Sequence, residues 1–205
     1  EAVTEAHIEN LALPCRTLID FGGKRWRPLL MILCANLSRE CSRQQDSRKN
    51  LSEEQIYSLT PLVEFVHTAS LIHDDIEDSA QMRRGKPAAH IVYGLDTALN
   101  AGSWLYFEAS VCIDSLKADA DFKSELYSLY TSELRRLHLG QAMDIYWHRN
   151  PDVFPSEEEY SAMVRCKTGT LASLAAKLGI LAGGASLDKV QRAGEIASKI
   201  GEGFQ

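Results

Sequence analysis

The sequence has no apolar run that approaches the ~20 residues needed to cross a bilayer. It also begins without a basic stretch followed by an apolar core, so we predict no secretory signal and expect a cytoplasmic location. Five cysteines are widely spaced and include no Cys-x-x-Cys pair, so nothing in their pattern points to zinc or redox chemistry. We expect these cysteines to be reduced and buried.

Strict alternation of β-branched residues is absent as well, whereas apolar residues recur at spacings of three and four along most of the chain. This period predicts an all-α fold. With 45% hydrophobic and 24% charged residues over 205 positions, the chain suits a single helical domain spanning residues 1–205. The predicted helices cover residues 4–19, 27–37, 52–78, 96–116, 122–147, 156–181 and 187–200.

Local signals support several of these boundaries. Ser52 with Gln55, and Ser156 with Glu159, have the spacing of a capping box, which satisfies the free amides of a first helical turn. The segment 38–50, "SRECSRQQDSRKN", is polar and irregular, and we predict an exposed loop there.

The helix predicted over 52–78 ends in four acids, within "SLIHDDIEDS" at 70–79. At about 100° per residue, His67, Ser70, Asp74 and Asp78 share one stripe, while Asp75 lies roughly 80° to one side. The other faces are apolar, so we expect a central helix whose stripe faces a cavity. Two carboxylates four residues apart can bind a hard divalent cation such as Mg²⁺, with substrate phosphates and water completing its coordination. A solvated acidic helix end is the alternative interpretation of this pattern alone.

Two basic segments flank the acids, although the chain has a net charge of −6. They are "GGKRWRP" at 22–28 and "MRRGKP" at 82–87. The first joins a Gly-Gly turn to a predicted helix start, where free amides favour phosphate, and Lys24 and Arg27 can point the same way. The paired Arg83 and Arg84 can bind phosphate oxygens in a bidentate manner. Together with the acids, the two segments indicate a site for a diphosphate and a metal.

This order of motifs, "GGKRWRP", "HTASLIHDDIED" and "MRRGKP", resembles the trans-prenyltransferases, also called isoprenyl or polyprenyl diphosphate synthases. The resemblance continues through "GQAMD" at 140–144, "CKTGTL" at 166–171 and "GEGFQ" at 201–205. It implies a helical bundle of the isoprenoid synthase type around a central cavity. It also implies a Mg²⁺-dependent condensation of isopentenyl diphosphate with an allylic prenyl diphosphate, with Mn²⁺ as a possible substitute and no nucleic acid as partner.

The resemblance assigns a role to each matching residue. Asp74 and Asp78 would be the metal ligands, Asp75 a support or a further ligand, and Arg83 a contact to the allylic diphosphate. Lys167 and Thr168 would contact the same diphosphate, and Lys167 would stabilise the developing cation. Further substrate-binding positions are implied at Lys24, Arg27, His67 and Arg84 for isopentenyl diphosphate, and at Gln141, Asp144 and Gln205.

The residues one turn before the acids would begin a tunnel for the growing hydrocarbon. Ala69 and Ser70 occupy these positions, and neither is bulky, so we predict a product of C20 or longer. Family members generally form homodimers, and the apolar residues of segment 101–113 are candidates for the interface.

The sequence departs from the family pattern after Gln205, because the second aspartate-rich motif that follows a Phe-Gln pair is missing. We therefore expect the chain to be truncated and inactive by itself. Two alternatives remain open at this point. One is a non-catalytic regulatory subunit of a heteromeric prenyltransferase. The other is a helical His-Asp metal phosphohydrolase, suggested by His73 beside Asp74, although His73 lies about 120° from His67 on the predicted helix.

Overall fold

The computed structural model describes residues 2–41 and 50–204, and this part of the chain is almost entirely helical, which confirms the all-α prediction. Its strands form a single two-stranded hairpin, β1 Met82–Arg83 and β2 Lys86–Pro87. The helices are α1 Glu5–Asp20, α2 Trp26–Cys41, α3 Glu53–Leu59, α4 Pro61–Glu77, α5 Ala89–Tyr93, α6 Leu95–Glu108, α7 Val111–Asp114, α8 Ala120–Arg149, α9 Glu157–Val164, a π-helix Arg165–Gly169, α10 Thr170–Ala182 and α11 Leu187–Glu202.

Three of the predicted helices are divided, and in one of them, 156–181, the π-helix Arg165–Gly169 separates α9 from α10. The predicted helix 52–78 breaks at Thr60, and α4 begins at Pro61. Proline has no amide hydrogen and its ring clashes with the carbonyl four residues back, so it begins a helix and does not continue one. The predicted helix 96–116 divides between Glu108 and Val111, where the amide of Ser110 bonds to the carbonyl three residues back instead of four.

The predicted loop 38–50 is wrong for its first four residues, because α2 continues to Cys41. The hydroxyl of Ser38 donates to the carbonyl of Ile180 at 3.0 Å and is buried, which holds the last turn of α2 in place. The rest of the predicted loop, up to residue 49, lies outside the described residues.

Both predicted capping boxes are confirmed. The amide of Gln55 donates to Ser52 Oγ at 3.2 Å, and the amide of Ser52 donates to Gln55 Oε1 at 2.8 Å. Glu159 and Ser156 make the same reciprocal pair at the start of α9. The hydrogen bond from the Ser156 amide lowers the pKa of the Glu159 carboxyl.

The chain divides into two compact units. The first unit contains the residues up to Arg25 together with Glu64–Cys112, and the second contains Trp26–Val63 together with the residues from Ile113 onward. The core of the first unit is formed by α1, α4 and α6. Its fully enclosed side chains are Cys15, Leu18, Ala69, Ile72, Ala98, Ala101 and Leu105.

The second unit is built around α10, whose 13 residues are all buried. This helix packs against α2, α8 and α11. We predicted a central position for the acid-bearing helix. That helix, α4, contributes Ala69 and Ile72 to the core of the first unit, whereas the helix enclosed on every side in the second unit is α10. No helix within residues 2–41 and 50–204 is both long enough and apolar enough to cross a membrane.

All five cysteines are free thiols. Cys15 is buried, and burial raises the pKa of its thiol to about 12, so it stays protonated and unreactive at neutral pH. The prediction that all five are buried is confirmed only for Cys15. Cys34, Cys112 and Cys166 are half-buried, and Cys41 is exposed at the end of α2.

Candidate active site

The acidic motif lies at the carboxyl end of α4. Asp74 is half-buried in the last turn, and the exposed Asp78 follows directly after the helix. The amide of Asp78 donates to the carbonyl of Asp74 at 2.9 Å, so the helical turn continues and the two carboxylates remain one turn apart. The helix confirms the predicted common face of His67, Ser70 and Asp74.

The chain reverses immediately after these acids. Ser79 adopts a left-handed conformation with φ of 53°, and its amide bonds to the carbonyl of Ile76 while the amide of Ala80 bonds to the carbonyl of Asp75. This pattern is a Schellman motif, which usually carries glycine at the left-handed position. It directs the following residues back alongside the acids.

Those residues form the β1–β2 hairpin, which pairs Met82 with Pro87 and Arg83 with Lys86. Arg84 and Gly85 form its two-residue turn, with φ of 53° and 76°. Positive φ at both central positions is the requirement of a type I′ turn, the form that suits a tight hairpin. The sequence did not predict this hairpin, since Arg-Gly is a weaker hairpin signal than Asn-Gly.

Arg83 on this hairpin binds the acids of α4. Its Nε donates to Asp75 Oδ1 at 2.7 Å, its Nη2 contacts the same oxygen, and Nη2 also lies 3.4 Å from Asp74 Oδ2. The hydrogen bond to Asp75 raises the pKa of Arg83 further above its ordinary value. Asp75 is only 1% exposed, and its Oδ2 has no hydrogen-bond partner among the described residues. Asp75 therefore fixes the guanidinium of Arg83 beside Asp74.

The hairpin also meets the first basic segment, about sixty residues earlier in the chain. Arg84 Nη1 donates to the carbonyl of Gly22, and Lys86 Nζ lies 4.3 Å from the ring centre of Phe21. Lys24 is exposed in the same loop. The prediction that the basic segments and the acids lie together is thus met within the first unit for Lys24, Arg83 and Arg84.

Arg25 has a different environment from Lys24. It donates to a carboxylate oxygen of Glu64 and, at 2.6 Å, to the carbonyl of Ile19. These bonds fix the Gly-Gly loop to α1 and α4, so Arg25 supports the loop and does not point with its neighbour.

The two predicted tunnel residues lie in different surroundings. Ala69 is fully buried in the core of the first unit, next to Ile72 and Ala98. Ser70 is half-buried, and its hydroxyl donates to the carbonyl of His67 at 2.8 Å. Of the two residues, Ser70 therefore lies on the face of α4 that also carries Asp74.

His73 is held by hydrogen bonds on both ring nitrogens. Its Nδ1 lies 2.9 Å from the carbonyl of Ala69, and its Nε2 lies 3.2 Å from Ser103 Oγ. Since a carbonyl can only accept, Nδ1 carries a hydrogen. Among the described residues, no group of three or more His, Cys, Asp or Glu side chains that could hold a metal includes His73, so the structure gives no support to a His-Asp phosphohydrolase.

In the second unit, Lys167 Nζ donates to Asp144 Oδ2 at 2.5 Å. Lys167 and Thr168 lie in the π-helix, and Thr168 and Gln141 are half-buried. The structure has a π-helical segment at Arg165–Gly169, within the predicted helix 156–181, and this form of irregularity is often found at functional sites.

Glycines bring the three later motifs of the second unit into contact. A β-carbon on Gly140 would lie 2.7 Å from the carbonyl carbon of Cys166, and one on Gly201 would lie 2.7 Å from the α-carbon of Gly169. A β-carbon on Gly169 would itself lie 2.5 Å from Ser198 Oγ. The π-helix is therefore enclosed between α8 and α11 at backbone contact.

Two further motif residues complete the second unit. Arg27 lies over the ring of Trp26, with 4.6 Å between guanidinium and ring centre, and Phe204 stacks on the same ring at 5.0 Å. The predicted Gln205 lies outside the described residues. The sequence did not predict this aromatic stack, because Trp26 and Phe204 lie in motifs that are far apart in the chain.

The acids on α4 fit Mg²⁺ better than a metal held entirely by protein. Among the described residues, no group of three or more His, Cys, Asp or Glu side chains is arranged to hold an ion. Mg²⁺ commonly binds through one or two carboxylates and takes its remaining ligands from water and substrate phosphates. Asp74 and Asp78 match the carboxylate part of that donor set, and the adjacent cations of the hairpin suit the substrate phosphates.

The chain belongs to the polyprenyl synthetase family, which matches residues 8–205. A geranylgeranyl pyrophosphate synthase from Eremothecium gossypii is 36% identical over 177 residues, which are 85% of this chain and 52% of that protein. The chain spans about half the length, or less, of the first curated relatives that it matches.

Solved structures give the same fold. Geranylgeranyl pyrophosphate synthetase from the archaeon Geoglobus acetivorans matches with a TM-score of 0.85 and 28% identity, over 98% of this chain and 61% of that one. A polyprenyl synthase from Caulobacter crescentus, in complex with calcium and isoprenyl diphosphate, matches with a TM-score of 0.76 and 26% identity over 97% of this chain and 55% of that one. The isoprenoid synthase type of helical fold predicted from the motifs is thereby confirmed.

Proposed function

We propose that the complete gene product is a Mg²⁺-dependent trans-prenyltransferase. It condenses isopentenyl diphosphate with an allylic prenyl diphosphate and releases diphosphate and a longer trans-polyprenyl diphosphate. The observation that carries this proposal is the placement of Arg83 against Asp74 and Asp75, beside a loop that carries Lys24. The carboxylates suit a metal cation, and the nearby cationic side chains suit the diphosphate bound to that metal.

In the first unit, Asp74 and Asp78 hold the Mg²⁺, and Arg83 binds the allylic diphosphate. When bound, the metal supplies Lewis-acid stabilisation of the charge that develops on the leaving diphosphate. Lys24, His67 and Arg84 bind the diphosphate of isopentenyl diphosphate, and Asp75 keeps Arg83 oriented. Because the Asp75 carboxylate is buried, water does not compete for its hydrogen bond with Arg83.

In the second unit, Lys167, Thr168, Arg27 and Gln141 are the proposed substrate-binding residues. Asp144 orients the ammonium of Lys167. The ammonium stabilises negative charge as the carbon–oxygen bond of the allylic diphosphate breaks. The double bond of isopentenyl diphosphate then attacks the allylic cation, which forms the new carbon–carbon bond and a new carbocation. This carbocation loses a proton from an adjacent carbon to the departed diphosphate, and the electrons of that C–H bond form the product's double bond.

The product is proposed to be geranylgeranyl diphosphate or a longer chain, because Ser70 and Ala69 offer little bulk before the acids. The name of the Eremothecium gossypii relative supports a C20 product. The test is to incubate the complete gene product with labelled isopentenyl diphosphate, Mg²⁺ and each of dimethylallyl, geranyl and farnesyl diphosphate. We expect products of C20 or longer by chromatography, and no product when the metal is chelated. Farnesyl diphosphate as the final product would contradict the length assignment.

A substitution separates chain length from catalysis. Ser70→Phe is expected to shorten the product, whereas Ser58→Phe, at an exposed position of α3, is expected to leave it unchanged. Ser70 is the better test than Ala69, because a large residue at Ala69 would also disturb the core. A folded protein that gives no product with any allylic diphosphate would favour the regulatory-subunit alternative.

A homodimer is also proposed, and α6 supports it. Phe107 is 76% exposed, and Leu95 and Leu99 of the same helix are exposed as well. Exposed apolar side chains on one helix favour burial against a partner. Light scattering of the complete gene product should give twice the mass of one chain at micromolar concentration, and Phe107→Glu should shift this toward the mass of one chain. A single-chain mass for the unsubstituted protein would contradict the proposal.

A further inference from the structure

The second unit contains a cavity of about 540 Å³ bordered by α8, the π-helix, α10 and α11. None of the candidate active-site residues lines it. Five of its ten lining residues are cationic and two are acidic, although the chain has a net charge of −6. The lining residues are Arg136, Arg165, Lys177, Gln191, Arg192, Glu195, Ile196, Ser198, Lys199 and Glu202.

The cations at the inner end of the cavity are fixed by a buried acid. Glu133 is 1% exposed and accepts a hydrogen bond of 2.6 Å from Lys177, whose side chain is 9% exposed. Arg136 lies 3.4 Å from both oxygens of the same carboxylate. The carboxylate of Glu133 thus pairs with both Lys177 and Arg136, so this end of the cavity has a net positive charge.

The outer end carries further cations. Arg165 bonds to Glu202 at 2.9 Å, and Arg192 and Lys199 are exposed and seven residues apart on α11, so they share a face. Counting Glu133, five cations face three carboxylates around the cavity. The surplus favours a ligand with more than one negative charge.

We propose that this cavity binds a small phosphate-class anion, namely free diphosphate or phosphate. Guanidinium groups match phosphate oxygens in a bidentate manner, and the ammonium groups of the lining lysines add further donors. Ile196 is the single apolar lining residue among those of the described chain, so the cavity offers no surface for a prenyl tail. The ligand is the free anion and not its prenyl ester.

The test is calorimetric titration of the complete gene product with inorganic diphosphate and, separately, with inorganic phosphate, without divalent metal. Arg192→Gln/Lys199→Gln is expected to weaken binding to the cavity at least about tenfold, since a hydrogen bond to a charged group contributes roughly 1.5–3 kcal/mol and 1.4 kcal/mol is tenfold. Lys189→Gln, an exposed cation on the same helix that does not line the cavity, should bind as the unsubstituted protein does. The tighter of the two anions identifies the ligand.

Repeating the titration with Arg83→Gln separates this cavity from the candidate active site, because binding at the cavity should persist in that variant. Turnover at saturating substrate should be unchanged in the Arg192→Gln/Lys199→Gln protein, and its melting temperature confirms that it folds. The proposal is overturned if neither anion gives saturable heat. It is equally overturned if the double variant binds both anions as tightly as the unsubstituted protein does.

Discussion

Asp74→Ala in the complete gene product is expected to lower kcat at least about a hundredfold, or about 2.7 kcal/mol of barrier, with little change in melting temperature. The variant removes one of the two proposed metal ligands, so charge on the leaving diphosphate is no longer stabilised. The carboxylate is half-buried and its ion pair to Arg83 is long at 3.4 Å, so we expect the fold to tolerate its removal. Steady-state kinetics across a range of Mg²⁺ concentrations measures the effect.

The matched control for this experiment is Asp152→Ala, which removes an exposed aspartate distant in sequence from every motif. Its kcat should equal that of the unsubstituted protein. Retention of activity within tenfold in Asp74→Ala, about 1.4 kcal/mol, would mean that Asp74 does not hold the metal.

Gly140→Ala is expected to destabilise the protein by about 3 kcal/mol, the upper end of the usual effect of overpacking. The added carbon would meet the backbone of Cys166 and Lys167, and backbone cannot turn away as a flexible side chain can. The π-helix would have to move, and Lys167 would move with it. Urea unfolding should show a lower midpoint, and kcat should fall in parallel.

Gly203→Ala is the matched control, because a β-carbon there meets nothing closer than 3.6 Å and the φ of −69° is ordinary for alanine. Its unfolding free energy should stay within about 0.5 kcal/mol of the unsubstituted protein. Equal midpoints for the two alanine variants would show that the contact between α8 and the π-helix yields without cost.

The sequence predicted the features that depend on local chemistry. Periodicity predicted the helices, and paired side chains predicted both capping boxes, because each of these signals lies within a few residues. The acidic and basic segments were also identified correctly as neighbours, since the excess of cations at 22–28 and 82–87 contrasts with an acidic chain. The opposite charges of these segments were evident from the sequence, before the structure gave their positions.

What could not be predicted depends on contacts between distant residues. The pairing of Asp75 with Arg83 requires the reversal at Ser79, and a serine with positive φ leaves no signal in the sequence. The complete enclosure of α10 is set by packing with three other helices. The break at Thr60 could have been predicted from Pro61, but the strong apolar period on both sides of it indicated one continuous helix.

The contact of the π-helix with α11 also predicts how substitutions combine. A β-carbon on Gly201 would meet the α-carbon of Gly169, and one on Gly169 would meet Ser198 on the same helix as Gly201, so an alanine at either position forces the π-helix and α11 apart. Once the first substitution has opened the gap, a second has less left to displace, and the free-energy losses of Gly169→Ala and Gly201→Ala should sum to more than the loss in the double variant. The two positions are thus energetically coupled, and a protein that has already lost one of these glycines tolerates the loss of the other more easily.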